Sequence, residues 1–216
     1  TFAELFAIVI SYLIFAFSWS TRNFSKNNFL LFLACGYFWI GSLDLMHTLS
    51  YKGMDVFVEG SGNLSVQFWF GTRYLEALLL LAAPFAASRK HNGYLLVGIF
   101  GIVAVGLTSL ILTGKFPVGF VEGTGLTNFE RYSAYLIVLI LAAALVTLFR
   151  FGREISSDEN NLIAAAIILT MCAELAFTFY VDVYGLSNLI GHIFKLFSFW
   201  LIFQAIVTTH LTGPYT

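Results

Sequence analysis

Residues 174–195 read ELAFTFYVDVYGLSNLIGHIFK, placing Glu174, Asp182, His192 and Lys195 in one short span between two apolar stretches. The chain is 59% hydrophobic and only 11% charged, so four ionisable side chains this close together are unusual. If the flanking stretches cross a membrane, each such group is costly there and points to a shared polar site. Two smaller concentrations accompany it. Asp44 and His47 stand in LDLMHT, and Arg73 and Glu76 stand in TRYLEA.

Mean hydropathy is +0.85. The apolar content exceeds the roughly 45–50% of soluble domains. Long apolar runs with few charges mark membrane helices, each needing about 20 residues to span. A soluble globular fold is thereby excluded. A net charge of −1 offers no basic face for nucleic acid. Cys35 and Cys172, the two cysteines, both fall inside apolar runs, where a small packing residue is the expected role and no disulfide framework arises.

Outward from the opening segment, seven spans can be marked, at residues 2–19, 28–49, 65–87, 93–113, 128–149, 162–184 and 187–211. The expected fold is an all-α membrane protein, a single seven-transmembrane-helix bundle over residues 1–216. Pro84 near the end of the third span fits a kink or terminus that neighbouring helices accommodate. Gly98, Gly101 and Gly106 in the fourth predict close helix packing. Orientation follows from basic residues in short loops. Arg22, Lys26, Arg89, Lys90, Arg150 and Arg153 follow the odd-numbered spans, against Lys52, Lys115 and the helix-end Arg131 on the other side. This puts the N-terminus outside and the C-terminus in the cytoplasm.

At a helical rise of about 1.5 Å per residue, His47 and His192 lie roughly 5 and 8 Å below the outer boundary. Asp44, Arg73 and Lys195 come out at about 9–12 Å, and Glu76 and Glu174 at about 15–17 Å. Asp44/His47, Arg73/Glu76 and His192/Lys195 are each i, i+3 pairs sharing a helical face. A single polar cavity open to the outside accounts for them all. The bland readings are an ordering ion pair for Arg73 with Glu76, a helix-end role for Asp182, and solvation for Glu122 and Glu130. His91 and His210 sit near cytoplasmic ends, where a surface role is expected.

Imidazole with carboxylate suits a transition metal ion, and the metal set read here is His47, His192, Glu174 and Glu76. Two histidines on opposed helices would also suit haem iron. A retinal Schiff base on Lys195 and an organic ligand carrying an acidic and a basic group remain open as well. No HxxxH, HExxH or CxxC spacing singles out one of them.

LDLMHTLSYKGM (43–54), RYLEA (73–77), FVEGTGLT (120–127) and ELAFTFYVDVYGLSNLIGHIFKL (174–196) together resemble the third of the bacterial membrane-associated sensor domain families. The resemblance runs from the second helix to the end. It implies an integral-membrane input module of the bacterial inner (cytoplasmic) membrane. Its covalently linked cytoplasmic output, a histidine kinase or diguanylate cyclase, is expected after residue 216, and the full-length protein is expected to be a homodimer. The family's motif positions fall on Asp44, His47, Arg73, Glu76, Glu122, Glu174, Asp182, His192 and Lys195. The resemblance supplies no ligand. It brings in Glu122, which depth alone left in a loop. The two agree if FVEGTGLT folds back as a lid over the outer mouth.

On this reading the domain is not an enzyme. It takes a small molecule, metal ion or cofactor from outside and passes the event through its last helix. His47 and His192 would coordinate, Glu174 and Glu76 would be the deep carboxylates, Asp44 would orient His47, and Arg73 and Lys195 would balance charge. The competing readings are a membrane metallohydrolase, with metal-bound water as nucleophile, and a transporter. Transport calls for polar lining in both halves of the membrane, whereas the sequence places it in one.

Overall fold

The computed structural model describes residues 2–23, 27–51, 54, 56–57, 62–88, 90–121, 124–152, 155–178 and 186–212, with side chains to 207. Its helices are α1 (Phe2–Thr21), α2 (Asn28–Leu49), α3 (Gly62–Ala86), α4 (Gly93–Leu112), α5 (Asn128–Phe151), α6 (Ser157–Thr178) and α7 (Leu186–Thr212). A short antiparallel pair, β1 (Phe120–Val121) and β2 (Gly125–Leu126), stands between α4 and α5. The all-α architecture of seven helices is as expected.

Six of the seven helices have the length and apolar content of a membrane span. The exception is α3, which carries Asn63, Gln67, Arg73 and Glu76 and is also the helix with the most buried residues. Its polar side chains lower its hydropathy because they face protein rather than lipid.

Boundaries follow local capping chemistry. Asn27 accepts from the amide of Leu30 at the start of α2, and Thr127 accepts from that of Glu130 at the start of α5. The sixth helix begins at Ser157 rather than 162, because Ser156 and Glu159 close a capping box. The Ser156 amide donates to Glu159 Oε2 at 3.1 Å, and the Glu159 amide donates to Ser156 Oγ at 3.3 Å. The polar stretch SDENN is thus the first turn of the helix, where its acidic residues suit the positive end of the dipole.

The packing pattern positions the polar site. Each of α1, α2, α3, α5, α6 and α7 packs on the next in that order, and α7 returns to α1, closing a ring of six. Helix α4 stands outside it, against α2 and more lightly α3. It has no Asp, Glu, Lys, Arg or His and buries only Leu96, Gly101, Ala104 and Ile111, as befits a helix surrounded mainly by lipid. The three glycines of α4 differ. A Cβ on Gly101 would stand 2.8 Å from Trp39 Cζ2, whereas Gly98 and Gly106 have nothing within 4 Å. Only Gly101 is a close-packing position, which corrects the expectation for the other two.

The connector after α4 is pinned to the start of α3. Asn63 Oδ1 accepts from the amides of Gly119 and Phe120, and Gln67 Nε2 donates to the carbonyls of Phe116 and Pro117. Gly125 opens β2 at φ +86, a conformation that favours glycine. Residues 116–120 therefore lie against the start of α3, while Glu122 and Gly123 of the FVEGTGLT stretch fall outside the described residues.

Trp39 is held by a 2.9 Å hydrogen bond from Nε1 to the Val97 carbonyl and cannot swing away. Gly101→Ala should therefore destabilise the α2–α4 contact by about 1–3 kcal/mol. Gly98→Ala should be neutral or stabilising by up to about 1 kcal/mol. Thermal unfolding of the two variants in one detergent checks the contrast, and equal effects would refute it.

Candidate functional site

The ionisable residues of the ring interior form a row of alternating charge. Arg73 donates through Nη1 to Glu76 one turn further along α3, and through Nη2 to both carboxylate oxygens of Asp44 on α2, each at 3.1 Å. Lys195 on α7 stands 3.2 Å from Asp44 Oδ2 and 2.6 Å from Glu4 Oε2 on α1. His192 Nδ1 lies 3.0 Å from Glu4 Oε1, within ion-pair distance although not aligned as a hydrogen bond. The order is Glu76, Arg73, Asp44, Lys195, Glu4, His192. The first five are at most 2% exposed, and His192 is 16% exposed. Tyr37 caps the far end by donating to Glu76 Oε1 at 2.9 Å.

The row exists because each helix delivers one turn of polar residues to the same level. Arg73 and Glu76 share a face of α3, and His192 and Lys195 share a face of α7. Charges placed in lipid are tolerated when paired within a bundle interior. Three carboxylates here alternate with two permanent cations, so opposite charges are neighbours throughout.

Trp69 is the apolar centre of the arrangement. Its ring lies 5.0 Å from the Arg73 guanidinium and 4.5 Å from Lys195 Nζ. His47, Phe177 and His192 pack around it at 5.3, 4.8 and 6.1 Å between ring centroids. Cation–π attraction of this kind strengthens when the groups are withdrawn from water. Phe199 backs the same two cations at 5.6 and 5.8 Å.

His47 is held differently. Its Nδ1 is 2.7 Å from the Ser65 carbonyl, which only accepts, so Nδ1 carries the proton. The other ring nitrogen, Nε2, is buried and has no hydrogen-bond partner. With Nδ1 protonated, the free lone pair of this imidazole is on Nε2.

Glu174 stands apart from the row. It is 1% exposed, and neither of its carboxylate oxygens has a hydrogen-bond partner. The charged groups acting on it are Arg73, Glu76, Lys195 and Glu130. Glu130, expected to be solvated, is instead 3% exposed, with Oε2 unpartnered. It sits in the first turn of α5 rather than in the preceding loop, and the packing there covers it.

Of the nine residues read as a site, the structure thus brings together Asp44, His47, Arg73, Glu76, Glu174, His192 and Lys195. Glu122 and Asp182 lie outside the described residues. The residue missed is Glu4. Its signal was present, an acid in an apolar span, but no second charged residue accompanies it in that helix. Tyr37 and Trp69 had no signal among so many aromatic residues.

The proposed metal set is not assembled. Among the described residues no three His, Cys, Asp or Glu side chains form a group that could hold a metal ion. Glu76 is engaged by Arg73 and Tyr37, and His192 faces Glu4. The metallohydrolase reading needs a centre that this geometry does not provide.

A family model of the MASE3 membrane-associated sensor domain matches residues 1–214. The chain belongs to the MASE3 family. No curated protein and no solved structure matches it. As a membrane-associated sensor domain it holds no catalytic domain within these residues, and its apolar helices make it a multi-pass membrane protein.

Removing one member of a buried pair strands the other, at a cost of about 3–5 kcal/mol. Lys195→Met and Glu4→Gln should each destabilise the MASE3 domain on that scale. The double variant should fall short of the sum by about 0.5–3 kcal/mol. Denaturant unfolding in mixed micelles measures all three, and simple additivity would mean that the pair is uncoupled.

Proposed function

We propose that this MASE3 domain binds a small ligand at the polar cluster inside its helix ring and passes the event along α7 to an attached cytoplasmic output domain. What carries this reading is the imbalance of the cluster. One row of charges is matched partner for partner across α1, α2, α3 and α7, while Glu174 and His47 Nε2 remain buried and unmatched beside it. A bundle that only needed to be stable would gain by replacing such groups with apolar ones.

The orientation with α1 starting outside is supported by the basic residues of the alternate loops. Arg22, one of those basic residues, lies 4.3 Å over the Trp19 ring and reaches toward Tyr94, an arrangement suited to a membrane–water boundary. His192 is the most exposed member of the row and would meet the ligand side first. Asp44, His47, Arg73, Glu76, Glu174, His192 and Lys195 line the site in this reading, with Glu122 and Asp182 contributed by the connectors.

The relay follows from where the row is anchored. Lys195 ties α7 to α1 through Glu4 and to α2 through Asp44. A ligand that binds the two arrangements of α7 with different affinity shifts their populations. The expected outcome is that Glu174→Gln changes the output of the full-length protein at near-normal membrane abundance. It is read as output activity in membranes against immunoblotted protein. Unchanged output, or loss of the protein itself, would make Glu174 structural.

A further inference from the structure

The charges of the ring interior divide into a matched and an unmatched set. Glu76, Arg73, Asp44, Lys195, Glu4 and His192 make up the matched row. Outside it stand Glu130 on α5 and Glu174 on α6, helices that pack directly on each other. Both are more than nine-tenths buried, and Glu130 is among the charged groups that act on Glu174. Arg73 and Lys195 are already shared among three other carboxylates. Arg73 and Lys195 also act on Glu174, and Arg131 acts on Glu130, but among the described residues none of the three forms an ion pair with either carboxylate.

A second observation concerns Arg73. Its Nε–H is buried without an acceptor, although both Nη atoms are engaged. Arg73 and Glu174 act on each other electrostatically, yet they share no hydrogen bond. An unmatched donor thus stands in the neighbourhood of an unmatched carboxylate. Buried polar groups are ordinarily paired, so each such group asks for an explanation. A molecule that donates to the carboxylate and accepts from the guanidinium answers both.

We infer that the ligand of this domain is a small primary ammonium compound carrying a neighbouring hydrogen-bond acceptor. This inference rests on the ligand-binding reading above and names its ligand class. The ammonium donates to Glu174, with Glu130 adding a second negative charge, and the acceptor receives the Arg73 Nε–H. A bare metal ion fits less well, because the described residues bring no three ligating side chains together. An anion is disfavoured by the two carboxylates. The aromatic group of Trp69, Phe177 and His192 lies one turn along α6 from Glu174 and suits the passage of an organic cation.

Ethanolamine, with one ammonium and one hydroxyl, is the probe. It is titrated calorimetrically into the 216-residue chain in lipid nanodiscs, with ethylene glycol and sodium chloride as uncharged and inorganic controls. The expected result is saturable binding with a Kd of about 1 mM or tighter. Neither control should bind, and Glu174→Gln should weaken ethanolamine at least tenfold. Glu130→Gln, nearer the end of its helix, provides the same test should Glu174→Gln fail to fold, and is expected to weaken binding severalfold. Absence of saturable binding overturns the inference, as does equal binding by a variant with wild-type helicity and unfolding temperature. The sensory reading would stand in that case, because it is judged by the output of the full-length protein and not by amine binding.

Discussion

The ion-paired row from Glu76 to His192 is the constraint on which the rest of the bundle depends. In lipid there is no general hydrophobic force drawing helices together, so packing and polar contacts decide which helices meet. Lys195 bonds to carboxylates on two different helices, and Arg73 bonds to one on its own helix and one on α2. These four contacts fix α1, α2, α3 and α7 at a common level. The closure of the ring by α1 on α7 passes through Glu4, the first ionisable residue of the chain.

Placement of the remaining helices follows from what they can offer. Helix α4 has nothing to contribute to the row and stands outside it, anchored by Trp39 packing on Gly101. Helices α5 and α6 complete the ring and bring Glu130 and Glu174, which the row leaves without partners. The ring interior thus holds a row of ion-paired charges beside two buried carboxylates with unpartnered oxygens.

Much of this was legible beforehand. Hydropathy located every helix, and motif spacing singled out seven of the residues that meet inside the ring. Asn27, Thr127 and the Ser156–Glu159 pair set helix starts by local rules. The start of α6 was misjudged only because a polar first turn reads as a loop when hydropathy alone is followed. Glu130 was misjudged for a related reason. A residue at the third position of a helix near a Gly-rich loop is ordinarily solvated, and only the packing of α5 between α3 and α6 encloses it.

The sequence by itself determined that this is a multi-pass helical membrane protein with its ionisable residues concentrated in a few turns. The reason is energetic: in a medium without water, twenty-residue apolar runs must be helices, and charges among them must be shared. Which charge pairs with which was decided only in three dimensions. Glu4 and Lys195 are separated by nearly the whole chain, and nothing in their spacing announces a contact. Sequence counts charges, whereas helix packing matches them, and the packing alone separates the paired row from the two carboxylates it leaves over.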